Sequence, residues 1–149
     1  MAEPKPMLTN FITRGIRVDD LNNICRNTLV SHLGIQFTEV GDDFLCATMP
    51  VDHRTYQPLG LLHGGASVAL AETMGSLAAT LCVDQKTQYC VGLEINSNHI
   101  KSARDGFVKG TVRPIHIGKR TQVWEIKITN PQDELVSISR ITMAVIDKR

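Results

Sequence analysis

Apolar residues between Val68 and Leu81 recur on most sides of a helix rather than along one stripe. They occupy positions 68, 69, 70, 71, 74, 77, 78 and 81, and this spacing predicts a long helix that is buried on several sides. The helical run extends back to residue 61, and it contains one carboxylate, Glu72. We therefore expect this helix to form the core, with the rest of the chain wrapped around it.

The other patterned segments mostly predict strands. Short alternating runs, separated by turn-forming sequences, occur at residues 35–39, 43–51, 89–97, 106–115, 121–129 and 135–146. One further run, residues 19–30, places Leu21, Ile24, Cys25 and Leu29 on one face and predicts an amphipathic helix. Residues 1–10 hold two prolines and few large apolar groups, which predicts a loose arm. The pattern indicates one α+β domain over residues 1–149, with an antiparallel sheet curled around a central helix.

Composition and charge exclude several functions. The 16 Lys and Arg residues nearly balance the 15 Asp and Glu residues, so no nucleic-acid partner is expected. No apolar stretch approaches the ~18 residues of a membrane span, and the first residues lack a signal peptide, so we expect a cytoplasmic protein without a membrane partner. Four scattered cysteines predict buried thiols, and the five histidines show no ligand spacing, so no metal is expected.

A known family matches the start of the predicted helix. Residues 57–67 read QPLGLLHGGAS and are followed by Glu72 and Ser76. This block closely resembles the hot-dog-fold acyl-CoA thioesterases of the phenylacetate and 4-hydroxybenzoyl-CoA type, and within them the bacterial 1,4-dihydroxy-2-naphthoyl-CoA thioesterases of menaquinone synthesis. Residues 91–99, VGLEINSNH, are similar to the next strand of that family, and the similarity extends over roughly residues 30–147. The resemblance implies a hot-dog fold and hydrolysis of an acyl-CoA substrate, with an aromatic acyl group expected and no cofactor.

Backbone donors for a thioester carbonyl are expected where the central helix begins. The N–H groups around Gly64 and Gly65 lie at the positive end of the helix dipole, where they favour developing negative charge. Two glycines also suit a tight loop that enters a helix, so the residues alone leave both interpretations open. The resemblance implies that the Gly64 N–H polarises the carbonyl, that His63 and Gln57 assist, and that Gly65 lies in the substrate site.

Glu72 is the candidate nucleophile or general base. A carboxylate within an apolar helix is costly unless it is paired or used, so a structural salt bridge or a hydrogen bond to a loop is the alternative to catalysis. Ser76 lies one turn later on the same face, where its hydroxyl either binds the carboxylate or the attacking water, or bonds the carbonyl four residues back. The sequence leaves open whether Glu72 attacks the thioester or activates water.

The spacing of these groups predicts a shared site. Glu72 lies nine residues beyond His63, a rise of roughly 13 Å along a helix. A general base must approach within about 3 Å of the proton it removes. One helix therefore cannot place both His63 and Glu72 at one carbonyl. We expect a homodimer in which each active site combines two subunits. The resemblance implies that such dimers commonly pair into a homotetramer.

Further residues are candidates for contacts with the substrate. His99 lies in a strand expected near the dimer seam, where it either contacts the acyl group or simply packs. Residues 101–120 are locally basic, and Arg104, Lys119 and Arg120 are candidates for the CoA phosphates, although such a run is usually a solvated strand face. Two other functions stay open: a hot-dog dehydratase or hydratase of acyl thioesters, and a non-catalytic module that binds acyl-CoA.

Overall fold

The computed structural model describes residues 9–149 and contains a six-stranded antiparallel sheet. The strands are β1 (Gln36–Val40), β2 (Leu45–Pro50), β3 (Gln88–His99), β4 (Phe107–Ile117), β5 (Thr121–Thr129) and β6 (Leu135–Asp147). Their order across the sheet is β1-β2-β4-β5-β6-β3, and every neighbouring pair is antiparallel. The six predicted strands are confirmed, and β3 lies at one edge of the sheet.

The central helix, α3 (Gly64–Leu81), packs across this sheet and contacts β2 to β6. Its fully buried residues Leu70, Met74 and Ala78 meet a sheet face that includes Trp124 and Ile141. Burial of this surface is the main source of stability, because removing apolar area from water contributes roughly 25 cal/mol per Å². The predicted hot-dog architecture, a curved sheet wrapped around one long helix, is confirmed.

Helix α3 begins three residues later than the apolar run suggested. The N–H of Leu62 donates to Ala103 O at 2.8 Å, and that of His63 donates to Thr55 O at 2.8 Å. These bonds hold residues 62 and 63 in extended backbone, and His63 serves as the N-cap. The start of the helix is thus set by its neighbours in the fold, not by the apolar pattern alone.

The prediction of one continuous helix over residues 19–30 is wrong. The chain forms α1 (Val18–Ile24) and α2 (Leu29–His32), separated by Asn27 with φ 58°. Asparagine tolerates this left-handed conformation, and the Thr28 hydroxyl then caps α2 by accepting from Val30 N. As a result Ile24 and Leu29, predicted to share the buried face, are 63% and 64% exposed.

Residues 1–8 of the predicted loose arm lie outside the described residues. Thr9 is buried, and the N–H of Phe11 donates to Asp42 O at 3.1 Å.

The four cysteines are free thiols, and three of them are buried as predicted. Burial raises the pKa of Cys82 to about 12. Within residues 9–149 no cluster of His, Cys, Asp and Glu has the arrangement of a metal site, and no helix is long and apolar enough to cross a membrane.

Candidate active site

A cavity of about 300 Å³ lies at the N-terminal end of α3. It is bounded by the loop that precedes the helix, by the first turn of the helix and by the end of β3. Its lining includes Gln57, Leu62, Gly64, Ser67, His99 and Val136. The structure therefore brings together three of the predicted site residues, from segments more than 30 positions apart in sequence. Its size is at the lower end of the range for small-molecule sites.

The first turn of α3 leaves one backbone donor free. His63 Nδ1 accepts from the Gly65 N–H at 2.8 Å, and His63 O accepts from the N–H groups of Ala66 and Ser67. Among the described residues, the Gly64 N–H has no hydrogen-bond partner. Because Gly64 lines the cavity, its N–H is available to an acceptor bound there. The Gly65 N–H, by contrast, is already used within the protein.

The same hydrogen bond defines the tautomer of the neutral His63 ring. An acceptor nitrogen carries no proton, so the neutral His63 ring bears its proton on Nε2. The ring itself is exposed, and it stands beside the cavity rather than among the lining residues. His63 therefore shapes the helix entrance directly through its cap.

The imidazole of His99 covers Gly64. A Cβ atom placed on Gly64 would lie 2.9 Å from His99 Nε2, closer than real side-chain contacts. Glycine at this position thus permits the close approach of the ring to the helix entrance. His99 is the last residue of β3, and it lines the cavity beside the free N–H of Gly64.

Gln57 is held by a turn in the loop before the helix. Its N–H donates to Leu61 O at 2.8 Å, and its side-chain Oε1 accepts from the Leu59 N–H. The amide oxygen is thereby occupied, which leaves the amide NH₂ of Gln57 as a donor at the cavity. The loop is fastened to the segment before β4, because the Tyr56 hydroxyl donates to Arg104 O at 2.8 Å.

Glu72 lies away from this cavity. Its side chain is exposed on α3, and Oε1 is 2.8 Å from the point where a Cβ on Gly92 would be. Gly92 and His99 are seven residues apart on β3, about 23 Å of extended strand. In a single chain, the carboxylate and the Gly64 donor therefore face different segments of β3.

The Ser76 hydroxyl is not bound to the helix backbone. It lies 3.9 Å from Met143 Sδ, a weak acceptor. The neighbouring hydroxyls differ, because Thr73 bonds Ala69 O at 2.7 Å and Thr80 bonds Ser76 O at 2.9 Å. Ser76 therefore retains hydrogen-bonding capacity one turn beyond Glu72.

The basic candidates are not brought together. Arg104 is exposed next to the cavity, whereas Lys119 and Arg120 occupy the turn at the far end of β4. The 11 residues of β4 separate them, roughly 36 Å of strand. Arg120 also pairs with Asp147 at 3.0 Å, and the hydrogen bonds from Gln88 and Arg120 lower the pKa of Asp147. One chain therefore cannot place both groups on the phosphates at one end of a ligand.

Sequence reasoning missed three polar residues of the cavity, Ser67, Lys101 and Ser102. Ser67 is 2% exposed and lines the wall one turn into α3, and its only signal was its place four residues after His63. Lys101 also lines the cavity, with its ammonium 2.7 Å from Glu134 Oε1. It lay in the basic segment, but nothing in the sequence distinguished it from the other cations.

The chain is similar to known proteins over most of its length. The model of the Thioesterase superfamily matches residues 59–137. The 1,4-dihydroxy-2-naphthoyl-CoA hydrolase of Escherichia coli is 51% identical over 133 residues, covering 89% of this chain and 97% of that protein. The proofreading thioesterase EntH of Cronobacter turicensis is 48% identical, covering 89% and 96%. A crystal structure of a thioesterase from Haemophilus influenzae superposes with a TM-score of 0.85 at 50% identity, covering 88% of this chain and 91% of that one.

Proposed function

The chain belongs to the thioesterase superfamily and is a thioester hydrolase, and from this premise we propose that it hydrolyses an aromatic acyl-CoA to the free acid and CoA. The observation that carries the proposal is the Gly64 N–H, which has no partner within residues 9–149 and lies at a cavity shared with His99 and Gln57. The aromatic class is supported by the E. coli relative, whose name specifies a dihydroxynaphthoyl-CoA substrate.

Gly64 supplies the oxyanion donor in this proposal. When a nucleophile adds to the thioester carbon, negative charge develops on the carbonyl oxygen, and a fixed N–H at a helix N terminus stabilises it. The Gln57 amide NH₂ and the His99 ring flank the same position. Ser67 adds a small wall residue that leaves room for the carbonyl.

The carboxylate comes from a second subunit. β3 is a 12-residue edge strand with exposed apolar side chains, including Leu93 at 62%, and such an edge favours pairing with another strand. If a two-fold axis crosses β3 midway between Gly92 and His99, near Ile95 and Asn96, each Glu72 moves next to the other subunit's Gly64. We therefore propose a homodimer with two composite sites, and association of two dimers into a homotetramer.

Two chemical routes use these residues. As a general base, Glu72 takes a proton from water, the water oxygen adds to the thioester carbon, the C–S bond breaks, and the thiolate is protonated. As a nucleophile, a Glu72 oxygen adds to the same carbon and expels the thiolate, and water then hydrolyses the mixed anhydride. In either route we assign to the Ser76 hydroxyl a hydrogen bond to the carboxylate or to the water.

CoA binds at the cavity mouth through Arg104. This exposed guanidinium follows the segment that forms the cavity wall, and arginine suits phosphate through paired hydrogen bonds. Lys119 and Arg120, about 36 Å away along β4, contribute only from another subunit. We expect Arg104→Ala to raise KM for acyl-CoA while leaving KM for a short thioester without the nucleotide unchanged.

The test is release of free thiol from benzoyl, hydroxybenzoyl, dihydroxynaphthoyl and straight-chain acyl-CoAs. We expect the aromatic substrates to give the highest kcat/KM, and Glu72→Gln to lower kcat by about 10² to 10⁴. Glu39→Gln, which alters an exposed carboxylate on β1, is the matched control and should retain full rate. Full activity of Glu72→Gln would contradict the proposed role.

Other products would identify the alternatives. A hydratase or dehydratase would leave CoA attached to a modified acyl group, and a binding module would hold acyl-CoA without turnover. Single turnover in ¹⁸O water detects the nucleophilic route in which water attacks the Glu72 carbonyl carbon of the anhydride. The label then stays in Glu72 and the product acid carries an oxygen from Glu72, whereas general-base catalysis puts the label in the product acid and none in Glu72.

A further inference from the structure

Gly92 faces α3 because β3 carries a bulge. Gly92 pairs with Met143 and Glu94 with Thr142, so two steps along β3 match one step along β6 and Leu93 is the additional residue. Residues of β3 after the bulge alternate, with Ile95 opposite the buried Ile141 on the helix side. If the same sequence paired without a bulge, strict alternation back from Ile95 would turn position 92 away from the helix. The bulge instead places Gly92 opposite Met143, which is fully buried beneath the helix.

Glu72 occupies the space that a side chain at position 92 would take. A Cβ on Gly92 would lie 2.8 Å from Glu72 Oε1 and 3.8 Å from Glu72 Cδ, and its next neighbour is Ile141 Cδ1 at 4.0 Å. Four glycines have positive φ, at positions 15, 34, 60 and 106, and Gly92 is not among them. The backbone at 92 is therefore outside the left-handed region that requires glycine, and the contact with the carboxylate is what favours glycine there.

We propose that Gly92, turned toward α3 by the bulge at Leu93, is a positioning residue for the Glu72 carboxylate. The inference rests on the proposed function, in which Glu72 acts at the site of the other subunit. The missing side chain lets the carboxylate lie flat against the sheet edge, where β3 of a partner would approach. The bulge thus turns position 92 toward α3, and the absence of a side chain there leaves space for the Glu72 carboxylate.

The consequence for stability differs from the consequence for catalysis. A methyl group at position 92 pushes Oε1 from 2.8 Å to at least the 3.4 Å of ordinary contact. The displaced atom is the end of a flexible, exposed side chain, so the fold accommodates the change at little cost. The reaction does not, since displacing a reacting group by about 1 Å can reduce rate by about 10²-fold.

The experiment is a double-mutant cycle between positions 72 and 92. Gly92→Ala is expected to lower kcat by about 10- to 100-fold, with KM, Tm and the oligomeric state unchanged. In the Glu72→Asp background, whose carboxylate ends one methylene short of β3, the same substitution should change kcat less than about 2-fold. Val91→Ile adds a methyl group to the neighbouring exposed position, on the opposite face of β3, and should have no effect in either background.

The outcomes separate this inference from the proposed function. An equal loss in both backgrounds, or full activity of Gly92→Ala while Glu72→Gln is inactive, would overturn the positioning role alone. Full activity of Glu72→Gln would overturn the proposed function. A crystal structure of Gly92→Ala is the second measurement: the carboxylate should be displaced from β3, and finding it in its original position would contradict the inference even where turnover is too slow to measure.

Discussion

Replacing Gly64 with proline removes a single backbone N–H from the entrance of α3. Among the described residues that N–H has no partner, so no hydrogen bond within the protein is lost. Proline is favoured at the first helical position, and it requires an extended residue before it. His63 already has φ −68° and ψ 130°. The helix should therefore form, and any loss of stability should match that of Gly64→Ala, because a Cβ at this position meets His99 Nε2 in both variants.

The catalytic cost should be large. Removal of one oxyanion donor typically lowers kcat by about 10² to 10³, or roughly 2.7–4 kcal/mol of transition-state stabilisation. Gly64→Ala is the matched control, because its Cβ also meets His99 Nε2 at 2.9 Å but its N–H remains. The catalytic effect of removing the N–H is therefore given by the ratio of the kcat values of the alanine and proline variants, after both are shown to be folded.

The assay follows thiol release under saturating acyl-CoA, with thermal unfolding measured in parallel. We expect both variants to fold, and the proline variant to be slower than the alanine variant by at least about tenfold. Equal kcat values for the two variants would refute the assignment of the Gly64 N–H as the oxyanion donor.

Two further predictions concern the subunit contact and the support of the site. Asn96 lies near the proposed two-fold axis, so Asn96→Cys should form an intersubunit disulfide under mild oxidation. Lys127→Cys, on the interior strand β5, should not form one. The opposite result on non-reducing gels would contradict the proposed position of the axis. Hydrogen bonds from Arg54 lower the pKa of Asp52 from 3.8 to about 2. A folded pKa below the unfolded value stabilises the fold above pH 3.8, and this contribution is lost as the pH falls through 2. Urea unfolding should therefore show wild type more stable than Asp52→Asn at pH 6, with the difference vanishing near pH 2; a constant difference would contradict this.

The elements with a strongly periodic pattern of apolar residues could be predicted from the sequence. Helix α3 and the six strands follow from apolar spacing, because burial against one sheet imposes that spacing. The predicted helix over residues 19–30 was less predictable, since the left-handed Asn27 interrupts a plausible helical pattern and leaves Ile24 exposed. Local chemistry, here a threonine that caps a second helix, outweighed periodicity at that point.

Three of the predicted site residues line the cavity, but the arrangement of the candidate site was not predictable. The HGGAS run and Glu72 indicated the chemistry, and the helix rise already implied two separated groups. The contact of Gly92 with Glu72 was not accessible, because it depends on a bulge in a strand distant in sequence. Likewise, the basic segment looked continuous until β4 separated Arg104 from Lys119.

The most direct test of the shared active site is complementation between two inactive variants. Glu72→Gln retains a normal helix entrance, and Gly64→Pro retains a normal carboxylate. Co-expressed and randomly paired, half of the dimers would be mixed, and each mixed dimer would hold one intact composite site, so activity should recover to about a quarter of wild type. Recovery to that level confirms sites built from two subunits. Activity that stays at the level of the separate variants, with mixed dimers shown to be present, would contradict them.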